Sequence, residues 1–430
     1  MIEPVSARFF HTGFYFGRAV LPANNNEAVL PSDTTTAPTI RCFNVKYSPN
    51  LGDGLLSECL EYALIDLGAN PATDSIDLAA RRKYGDAMVG RNSIMKLLDL
   101  MPSALRRVAV RAPLAMQAKT NWRPHYSARL EGADGVVLGG GNLISDLDLN
   151  FPTKLTIAID EAARRNLPTA FYACGVASGW SATGLRWCRK SFARPHMKAV
   201  FVRDADSKVL WDEMFASDTG HVAQVVRDPG LLAARYFPAA PKPASERPVA
   251  GLNVMSHIAI RYHAEGAPSE ARLGDWYVEV AQRLIAEGYQ VRAFTNGSPE
   301  DKQYAATLHE RLRALGPEQD ITFLEQRDPA GLCAHISQFD VLIAYRMHAI
   351  IAAYSYGIPA VALKWDRKLD SFMRSVGRGD FLFDVAQASA ADCVAKAMQA
   401  HREGLPADQH AAVLDEAKAD VAKLWAVFAR

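Results

Sequence analysis

Residues Val341-Leu-Ile-Ala-Tyr-Arg-Met-His348, the apolar residues after them and Gly357-Ile-Pro359 predict a strand, a helix and a second strand. Residues 341–344 form a short apolar run that is typical of a buried strand. Residues 349–356 suit a buried helix that Gly357 caps and Pro359 ends. Residues 359–363 predict a second strand. Two apolar strands joined through a helix indicate neighbours in a parallel sheet.

Cationic side chains follow both of these strands. Arg346 and His348 come after the first strand, and Lys364, Arg367 and Lys368 come after the second. Because open α/β sheets bind ligands at the carboxyl ends of their strands, we expect these side chains to project near one sheet edge. Arginine offers a planar fork, lysine a point charge, and histidine changes protonation near neutral pH. The cluster suits an anion that carries both carboxylate and phosphate.

Strands and helices alternate over most of the chain. The alternation is clear from residue 135 and restarts after the proline-rich segment 238–248. We predict an α/β fold of two Rossmann-like domains with parallel sheets, GT-B-like, with the active site in the interdomain cleft. The predicted divisions are an irregular segment 1–38, domains at 39–237 and 249–400 around that linker, and a closing helix 401–430 that packs back on the first domain.

Two loops of the first half suit a ligand site. Asn50-Leu-Gly-Asp-Gly54 lies between a predicted strand and a helix, whose first amides lack partners and attract anions or sugars. An equally weighted alternative is a simple turn with Asp53 as the helix cap. The glycines of Gly139-Gly-Gly-Asn-Leu143 allow close approach of a backbone or ligand. No GxGxxG opens a helix after a strand, which argues against NAD binding.

Composition excludes several function classes. The 430 residues contain 48 Lys and Arg against 47 Asp and Glu, so the whole chain is no polyanion binder. The six cysteines show neither zinc nor disulfide spacing, and no carboxylate cluster suits magnesium, so we expect a metal-independent reaction in a reducing compartment. No run matches a membrane span or signal core, so we expect a cytoplasmic protein, with the inner membrane face as an alternative location.

Residues 81–130 carry eleven Lys or Arg against two acids. A solvated helix face explains such a run most simply. The alternative is a surface for an anionic, lipid-linked acceptor or for membrane headgroups. No nucleic-acid motif accompanies the charge, and we expect no nucleic acid as a partner.

Five segments, in order along the chain, resemble the polysaccharide pyruvyl transferase family. They span residues from about 43 to 372, most of the chain. The segments are Asn50–Gly54, Gly139–Leu143, Val202–Ser207, Asp228–Leu232, and Arg346-Met-His348 with Gly357-Ile-Pro359 and Lys368.

This resemblance implies that phosphoenolpyruvate, as co-substrate and without another cofactor, donates a pyruvyl ketal to a saccharide or lipid-linked saccharide. The domain 39–237 would then lie on the acceptor side and 249–400 on the donor side. The resemblance places donor binding on Arg203, Arg346, Met347 through its backbone, His348 and Lys368. It makes His348 the general acid or a phosphate ligand. Acceptor binding would fall on Asn50, Asp53, Gly140 and Asn142, with Asp53 as the base.

The sequence leaves two other functions open. A GT-B glycosyltransferase that uses a nucleotide sugar shares the architecture and the basic cluster. A non-catalytic protein of glycan assembly would keep the fold without the reaction. The individual residues also have plain explanations: Arg203 would be ion-paired with Asp204 and Asp206 at a helix start, and His348 would be structural.

Overall fold

The computed structural model describes residues 37–86, 111–242, 247–261 and 269–429. Three predictions therefore fall wholly or partly outside the described residues. These are the irregular segment 1–38, up to residue 36, the basic region at 87–110, and the linker at 243–246.

Two parallel six-stranded sheets form the framework, in the strand orders β2-β1-β3-β4-β5-β6 and β12-β11-β10-β7-β8-β9. The predicted α/β fold with parallel sheets is confirmed. The strands are β1 Ile40–Asn44, β2 Asp74–Asp77, β3 Gly135–Gly139, β4 Thr169–Cys174, β5 Met197–Val202, β6 Gln224–Val225, β7 Val249–Asn253, β8 Gln290–Phe294, β9 Ile321–Leu324, β10 Val341–Ala344, β11 Ala360–Leu363 and β12 Leu382–Phe383.

Helices connect the strands and cover the sheets, as crossovers between parallel strands require. Among the described residues, two π-helical segments (Ala118–Trp122, Asp212–Ala216) and two 3-10 turns (Pro229–Leu232, Gly379–Phe381) interrupt or flank them. The α-helices are α1 Leu51–Asp66, α2 Arg111–Gln117, α3 Arg123–Arg129, α4 Asn150–Arg164, α5 Ala182–Phe192, α6 Ala205–Trp211, α7 Ser217–Thr219, α8 Ala233–Tyr236, α9 His257–Arg261, α10 Glu270–Ala286, α11 Pro299–Arg313, α12 Pro329–Ile336, α13 Met347–Ser355, α14 Arg367–Ser375, α15 Ala390–Glu403 and α16 Ala407–Trp425.

Each sheet has one point at which the strand order reverses. The chain builds β2 on one side of β1 and then returns to build β3 on the other side. In the second sheet the same reversal separates β7 from β10. Since ligands of open α/β sheets bind outside such switch points, the loops after β1, β3, β7 and β10 mark the site.

In the described part of the chain, one continuous apolar core joins the two halves. It runs from one face of the first sheet through α1 and the turn Pro229–Leu232 to both faces of the second sheet. The other face of the first sheet packs a separate cluster that includes Phe171 and Trp211. The last helix, α16, lies against α1 and the turn Pro229–Leu232. There Asp420 of α16 accepts a hydrogen bond of 2.7 Å from the backbone N–H of Arg227.

All six cysteines are free and buried. Burial raises the pKa of every one of these thiols above its ordinary value. In the part of the chain that the structure describes, no helix is long and apolar enough to cross a membrane.

Strand β2 was not predicted because its sequence, Asp-Ser-Ile-Asp, is typical of turns. Its carboxylates are used by neighbouring arginines, which makes a polar strand tolerable. Asp74 accepts a hydrogen bond of 2.5 Å from Arg41 of β1, and Asp77 accepts one of 3.0 Å from Arg81. Helices α14 and α15 were also not predicted.

Gly140, in the loop after β3, has a structural reason to be glycine. Its φ of +81° is left-handed, and a Cβ there would overlap Leu56 Cδ1 of α1. The loop can therefore lie directly on α1 only if position 140 has no side chain.

We expect Gly140→Ala to lower the free energy of unfolding by about 2–4 kcal/mol, since overpacking adds to left-handed strain. Urea unfolding of the variant measures the loss. Gly132→Ala is the matched control, because Gly132 has a φ of +69° and a Cβ added there would meet no atom of the described residues within 4 Å. Equal losses in the two variants would contradict the close approach of Leu56.

Candidate functional site

The first turn of α1 lies directly against the second half of the chain. The backbone N–H of Leu51 donates a hydrogen bond of 2.8 Å to the carbonyl of Asn296, in the loop after β8. A Cβ on Gly52 would lie 2.6 Å from Cβ of His348, closer than side chains pack. The loops at the two switch points therefore meet, with His348 against the start of α1.

Asn50 begins this helix. Its side-chain oxygen accepts a hydrogen bond of 3.3 Å from the N–H of Gly52, so Asn50 is the N-cap. The alternative in which Asp53 caps the helix is wrong, since Asp53 already lies in the first turn. The helix starts earlier than the loop composition suggested, and Asp53 is free of the capping role.

Asp53 is a carboxyl group that resists ionisation. Burial raises the pKa of Asp53 above the ordinary value, although the charge of His348 and a hydrogen bond from Ser48 act in the opposite direction. The charges of Arg81 and Arg346 also oppose the shift. A carboxyl of this kind can exchange a proton nearer to neutral pH than an exposed one.

Arg346 is held by a buried carboxylate. Its Nε and Nη2 donate hydrogen bonds of 2.8 and 2.6 Å to Oδ2 of Asp301, and Nη2 donates one of 3.2 Å to Ser298. Asp301 is fully buried and also accepts a hydrogen bond of 2.9 Å from the N–H of Ser256. The guanidinium lies 5.9 Å from the ring centre of Trp365. Arg346 is thus fixed in place, with Nη1 as the remaining nitrogen of its fork.

His348 faces a second buried carboxylate. Its Nε2 lies 3.7 Å from Oδ2 of Asp228, which is beyond hydrogen-bond distance. Both atoms are buried, and neither has a hydrogen-bond partner among the described residues. Nδ1 lies toward α1 instead, where a Cβ on Gly52 would be 2.8 Å away.

Asp228 ionises more readily than an ordinary aspartate. Burial, the largest influence, raises its pKa, but the interaction with His348 and the charge of Arg203 outweigh burial and lower the pKa below its usual value. Its Oδ1 also accepts a hydrogen bond of 2.9 Å from the N–H of Gly230. His348 therefore lies between a carboxyl with a raised pKa, Asp53, and one with a lowered pKa, Asp228.

Arg203 and Asn142 approach each other around Gly175. A Cβ on Gly175 would lie 3.0 Å from Nη2 of Arg203 and 2.8 Å from Oδ1 of Asn142. Both atoms are buried without a hydrogen-bond partner in the described part of the chain. Buried polar atoms of this kind are rare in proteins and indicate a ligand or solvent position.

The acids beside Arg203 pair with it only loosely. Oδ2 of Asp204 lies 3.6 Å from Nε of Arg203, while its Oδ1 caps α6 through the N–H of Ser207. Asp206 is exposed. The ion pair at the helix start, the plain explanation for Arg203, therefore does not use up its guanidinium.

Lys368, Arg203 and Asp228 line a cavity of about 550 Å³ between the first half of the chain and helices α14 and α16. Burial lowers the pKa of Lys368 most strongly, and the charge of Arg203 adds to the effect against the opposing charge of Asp366. Its Nζ lies 3.8 Å from Oδ2 of Asp366.

Of the other cations after β11, Lys364 and Arg367 are exposed and are not among the residues that line this cavity. Met347 is the first residue of α13, and its N-cap, Arg346, forms no side-chain cap bond. The first amides of α13 therefore lack a side-chain acceptor from the cap residue.

Cations and acids alternate along this edge of the two sheets. Asp53 interacts with both Arg346 and His348, and Asp228 interacts with both His348 and Arg203. Such a row can bind an anion with two charged groups and can move protons at His348 and Asp53. No group of three His, Cys, Asp or Glu among the described residues is placed to hold a metal ion.

Sequence reasoning missed three acidic or hydroxyl groups of the site. The sequence places Asp301 in a helix, Asp228 in a motif and Tyr172 in a strand, without a role for any of the three. The hydroxyl of Tyr172 is buried without a hydrogen-bond partner among the described residues. Burial raises the pKa of Tyr172, and the charges of Asp420 and Asp228 add to the effect. Local spacing gives no signal for such contacts between distant segments.

Asp53→Asn should stabilise the protein at neutral pH. Because the folded state keeps the proton of Asp53 to a higher pH than the unfolded chain, the free energy of unfolding falls as the pH rises through that window. We expect the Tm of Asp53→Asn to exceed that of the wild type by about 1–2 °C at pH 7. The difference should shrink toward zero below about pH 3.9, where the unfolded carboxyl is protonated.

Thermal unfolding of both proteins between about pH 3.5 and pH 8, a range that spans the ordinary carboxyl pKa, measures this difference. Glu310→Gln, at an exposed carboxyl of α11, is the control and should change the Tm little at any pH. A Tm of Asp53→Asn below that of the wild type at neutral pH would contradict the unfavourable burial of Asp53.

Asp301→Ala should cost about 3–5 kcal/mol of unfolding free energy, because it leaves the charge of Arg346 buried without its partner. Asp275→Ala removes the partner of Arg311 in an exposed pair at 2.7 Å and should cost at most about 1 kcal/mol. Chemical unfolding measures the loss of unfolding free energy in both variants. Similar losses would refute the role of Asp301 as the anchor of Arg346.

Solved structures of known proteins share this architecture. The UDP-GlcNAc 2-epimerase from Neisseria meningitidis, bound to UDP-GlcNAc, is 11% identical, with 90% of this chain and 98% of that chain covered at a TM-score of 0.50. The UDP-N-acetylglucosamine 2-epimerase from Rickettsia bellii is 14% identical, with 91% and 96% covered at 0.48. A spinosyn rhamnosyltransferase complexed with thymidine diphosphate is 14% identical, with 90% and 99% covered at 0.47. At 11% identity the likeness to the Neisseria enzyme, at a TM-score of 0.50, concerns the fold alone, and the fold is GT-B-like as predicted.

Comparison with curated proteins finds no significant match. The profile of the polysaccharide pyruvyl transferase family, in contrast, matches residues 50–367. This range begins at Asn50, the cap of α1, and includes Arg203, Asp228, Arg346 and His348. It covers well over half of the chain, and the chain therefore belongs to the polysaccharide pyruvyl transferase family.

Proposed function

We propose that this protein transfers a pyruvyl group from phosphoenolpyruvate to hydroxyls of a saccharide, forming a ketal and releasing phosphate. Membership of the family supports the reaction class. The observation that carries the choice of donor is the buried Nη2 of Arg203, which has no hydrogen-bond partner among the described residues. Arg203 and His348 both interact with Asp228, so the two cationic side chains belong to one cluster.

The charges of the site suit this donor. Phosphoenolpyruvate carries a carboxylate and a phosphate on one small carbon frame. The pairs of Arg203 and Lys368 with their acids, at 3.6 and 3.8 Å, leave hydrogen-bond donors for the phosphate. Arg346 Nη1 and the first amides of α13 remain for the carboxylate.

The proposed reaction has two stages. His348 gives a proton to C3 of the enol while an acceptor hydroxyl attacks C2, and Asp53 takes the proton of that hydroxyl. The bond from C2 to the phosphate oxygen then breaks, and the phosphate takes the proton that Asp53 holds. A second hydroxyl attacks C2 and gives its proton to His348, which lost its own in the first stage. The opposite pKa shifts of the two carboxyls around His348 support a division into proton donor and proton acceptor sides.

The acceptor is assigned to the first half of the chain. Nδ2 of Asn50 is outside its capping bond, and Oδ1 of Asn142 is buried without a partner among the described residues. Gly140 is explained by its packing on Leu56 and contributes backbone only. If the saccharide is lipid-linked, the basic region 81–130 would contact the membrane surface. That peripheral contact stays a prediction.

Calorimetry with phosphoenolpyruvate tests the donor. We expect saturable binding by the wild type and about 10- to 100-fold weaker binding by Arg203→Ala and by Arg346→Ala, since charge-assisted hydrogen bonds are lost. His348→Ala should bind within about tenfold of the wild type but release phosphate at least about 100-fold more slowly with a saccharide acceptor.

Arg283→Ala, on the exposed side of α10, is the matched control and should bind like the wild type. If phosphoenolpyruvate at millimolar concentration does not bind while a nucleotide sugar does, the pyruvyl donor is refuted and a glycosyltransferase reaction takes its place. Binding that survives in both Arg203→Ala and Arg346→Ala would refute the assigned donor pocket.

A further inference from the structure

Asp228 has an arrangement that capping alone does not explain. Asp228 is only 3% exposed, and an ionised carboxylate buried so deeply needs partners for both oxygens. Oδ1 has the N–H of Gly230 at 2.9 Å. Oδ2 has no hydrogen bond among the described residues and instead faces Nε2 of His348 at 3.7 Å.

The backbone around Asp228 is firmly placed. Asp228 is the N-cap of the turn Pro229–Leu232, and this turn packs against α1, α13 and α16. Helix α13 carries His348 in its first turn. The carboxylate and the imidazole are therefore positioned by elements that are in contact with each other, within the shared apolar core.

The two nitrogens of His348 have different surroundings. Nε2 faces the carboxylate, whereas Nδ1 lies toward Gly52 and the first turn of α1, which carries Asp53. An ionised carboxylate can only accept a hydrogen bond, so it favours the imidazole form with the proton on Nε2. The neutral ring then presents Nδ1 as an acceptor, and the protonated ring presents Nδ1–H as a donor.

We infer that Asp228 is a positioning residue that holds His348 with Nε2–H toward its own Oδ2 and Nδ1 toward the first turn of α1, on the side of Asp53. The inference deepens the proposed function and rests on it for the part that concerns the reaction. The gap of 3.7 Å closes to a hydrogen bond in the complex, as contacts of catalytic groups often do when a ligand arrives.

Asp228→Asn distinguishes a role in capping from a role in positioning His348. The amide keeps an oxygen for the N–H of Gly230, so a role in capping alone predicts little change. An amide N–H toward Nε2 instead moves the ring proton to Nδ1, the wrong tautomer for the arrangement above. We expect kcat for phosphate release to fall at least about 100-fold, with the KM for phosphoenolpyruvate within about threefold of the wild type.

The tautomer is read directly by ¹⁵N NMR of protein labelled at the histidine rings, with His348→Gln to assign the signals of His348. The wild type should show the neutral ring protonated on Nε2, and Asp228→Asn should shift the proton toward Nδ1. Asp204→Asn is the control. Asp204 also caps a helix and has an unpartnered Oδ2 among the described residues, but it faces Arg203, so the variant should leave the His348 signals unchanged.

A wild-type ring protonated on Nδ1, or His348 signals that are the same in Asp228→Asn and in the wild type, would overturn the inference. The wild-type spectrum decides even if Asp228→Asn does not fold. An unchanged kcat in a folded Asp228→Asn with a shifted tautomer would also overturn it. If the wild type releases no phosphate from phosphoenolpyruvate, the proposed function fails, and the spectra still decide the pairing.

Discussion

The start of α1 packs against loops of the second sheet, and this contact determines where every group of the site lies. A Cβ on Gly297, after β8, would lie 2.6 Å from the carbonyl oxygen of Pro49, and one on Gly52 would strike His348. Because both positions are glycine, the backbone at Gly297 can approach the backbone of Pro49, and the backbone at Gly52 can approach the ring of His348. The two switch points therefore form one cleft. A wider spacing would separate Asp53 from His348 and leave two incomplete sites.

Within that cleft, the distances of the ion pairs separate anchoring from binding. The Arg346–Asp301 pair is close and fully hydrogen-bonded, which fixes a guanidinium at the start of α13. The pairs of Arg203 and His348 lie at 3.6 and 3.7 Å, close enough to stabilise charge but too far for a hydrogen bond. Buried polar atoms left without hydrogen-bond partners cost stability, and such a cost is typical of functional sites.

Much of the fold followed from the sequence, since β3 to β5 and β7 to β11 are apolar runs bounded by turn residues. Arg346, His348 and Lys368 were expected near one sheet edge because each follows a strand, whereas Lys364 and Arg367 of the same expected cluster are exposed and do not line the cavity. Strand β2 was missed because its polar residues depend on arginines elsewhere in the chain. The partners Asp301 and Asp228 were missed for a related reason: each meets its cation only after two sheets are packed together, and local spacing does not record that packing.

The reactivity of the buried thiols reports on local opening of the protein. A thiol reagent attacks the thiolate of an accessible cysteine, so none of the six can react until its surroundings open. Cys59 of α1 and Cys333 of α12 lie in the core that joins the halves, whereas Cys174 and Cys188 lie in the separate cluster of the first sheet. The order in which these cysteines become modified therefore shows whether the two halves separate before either sheet unfolds.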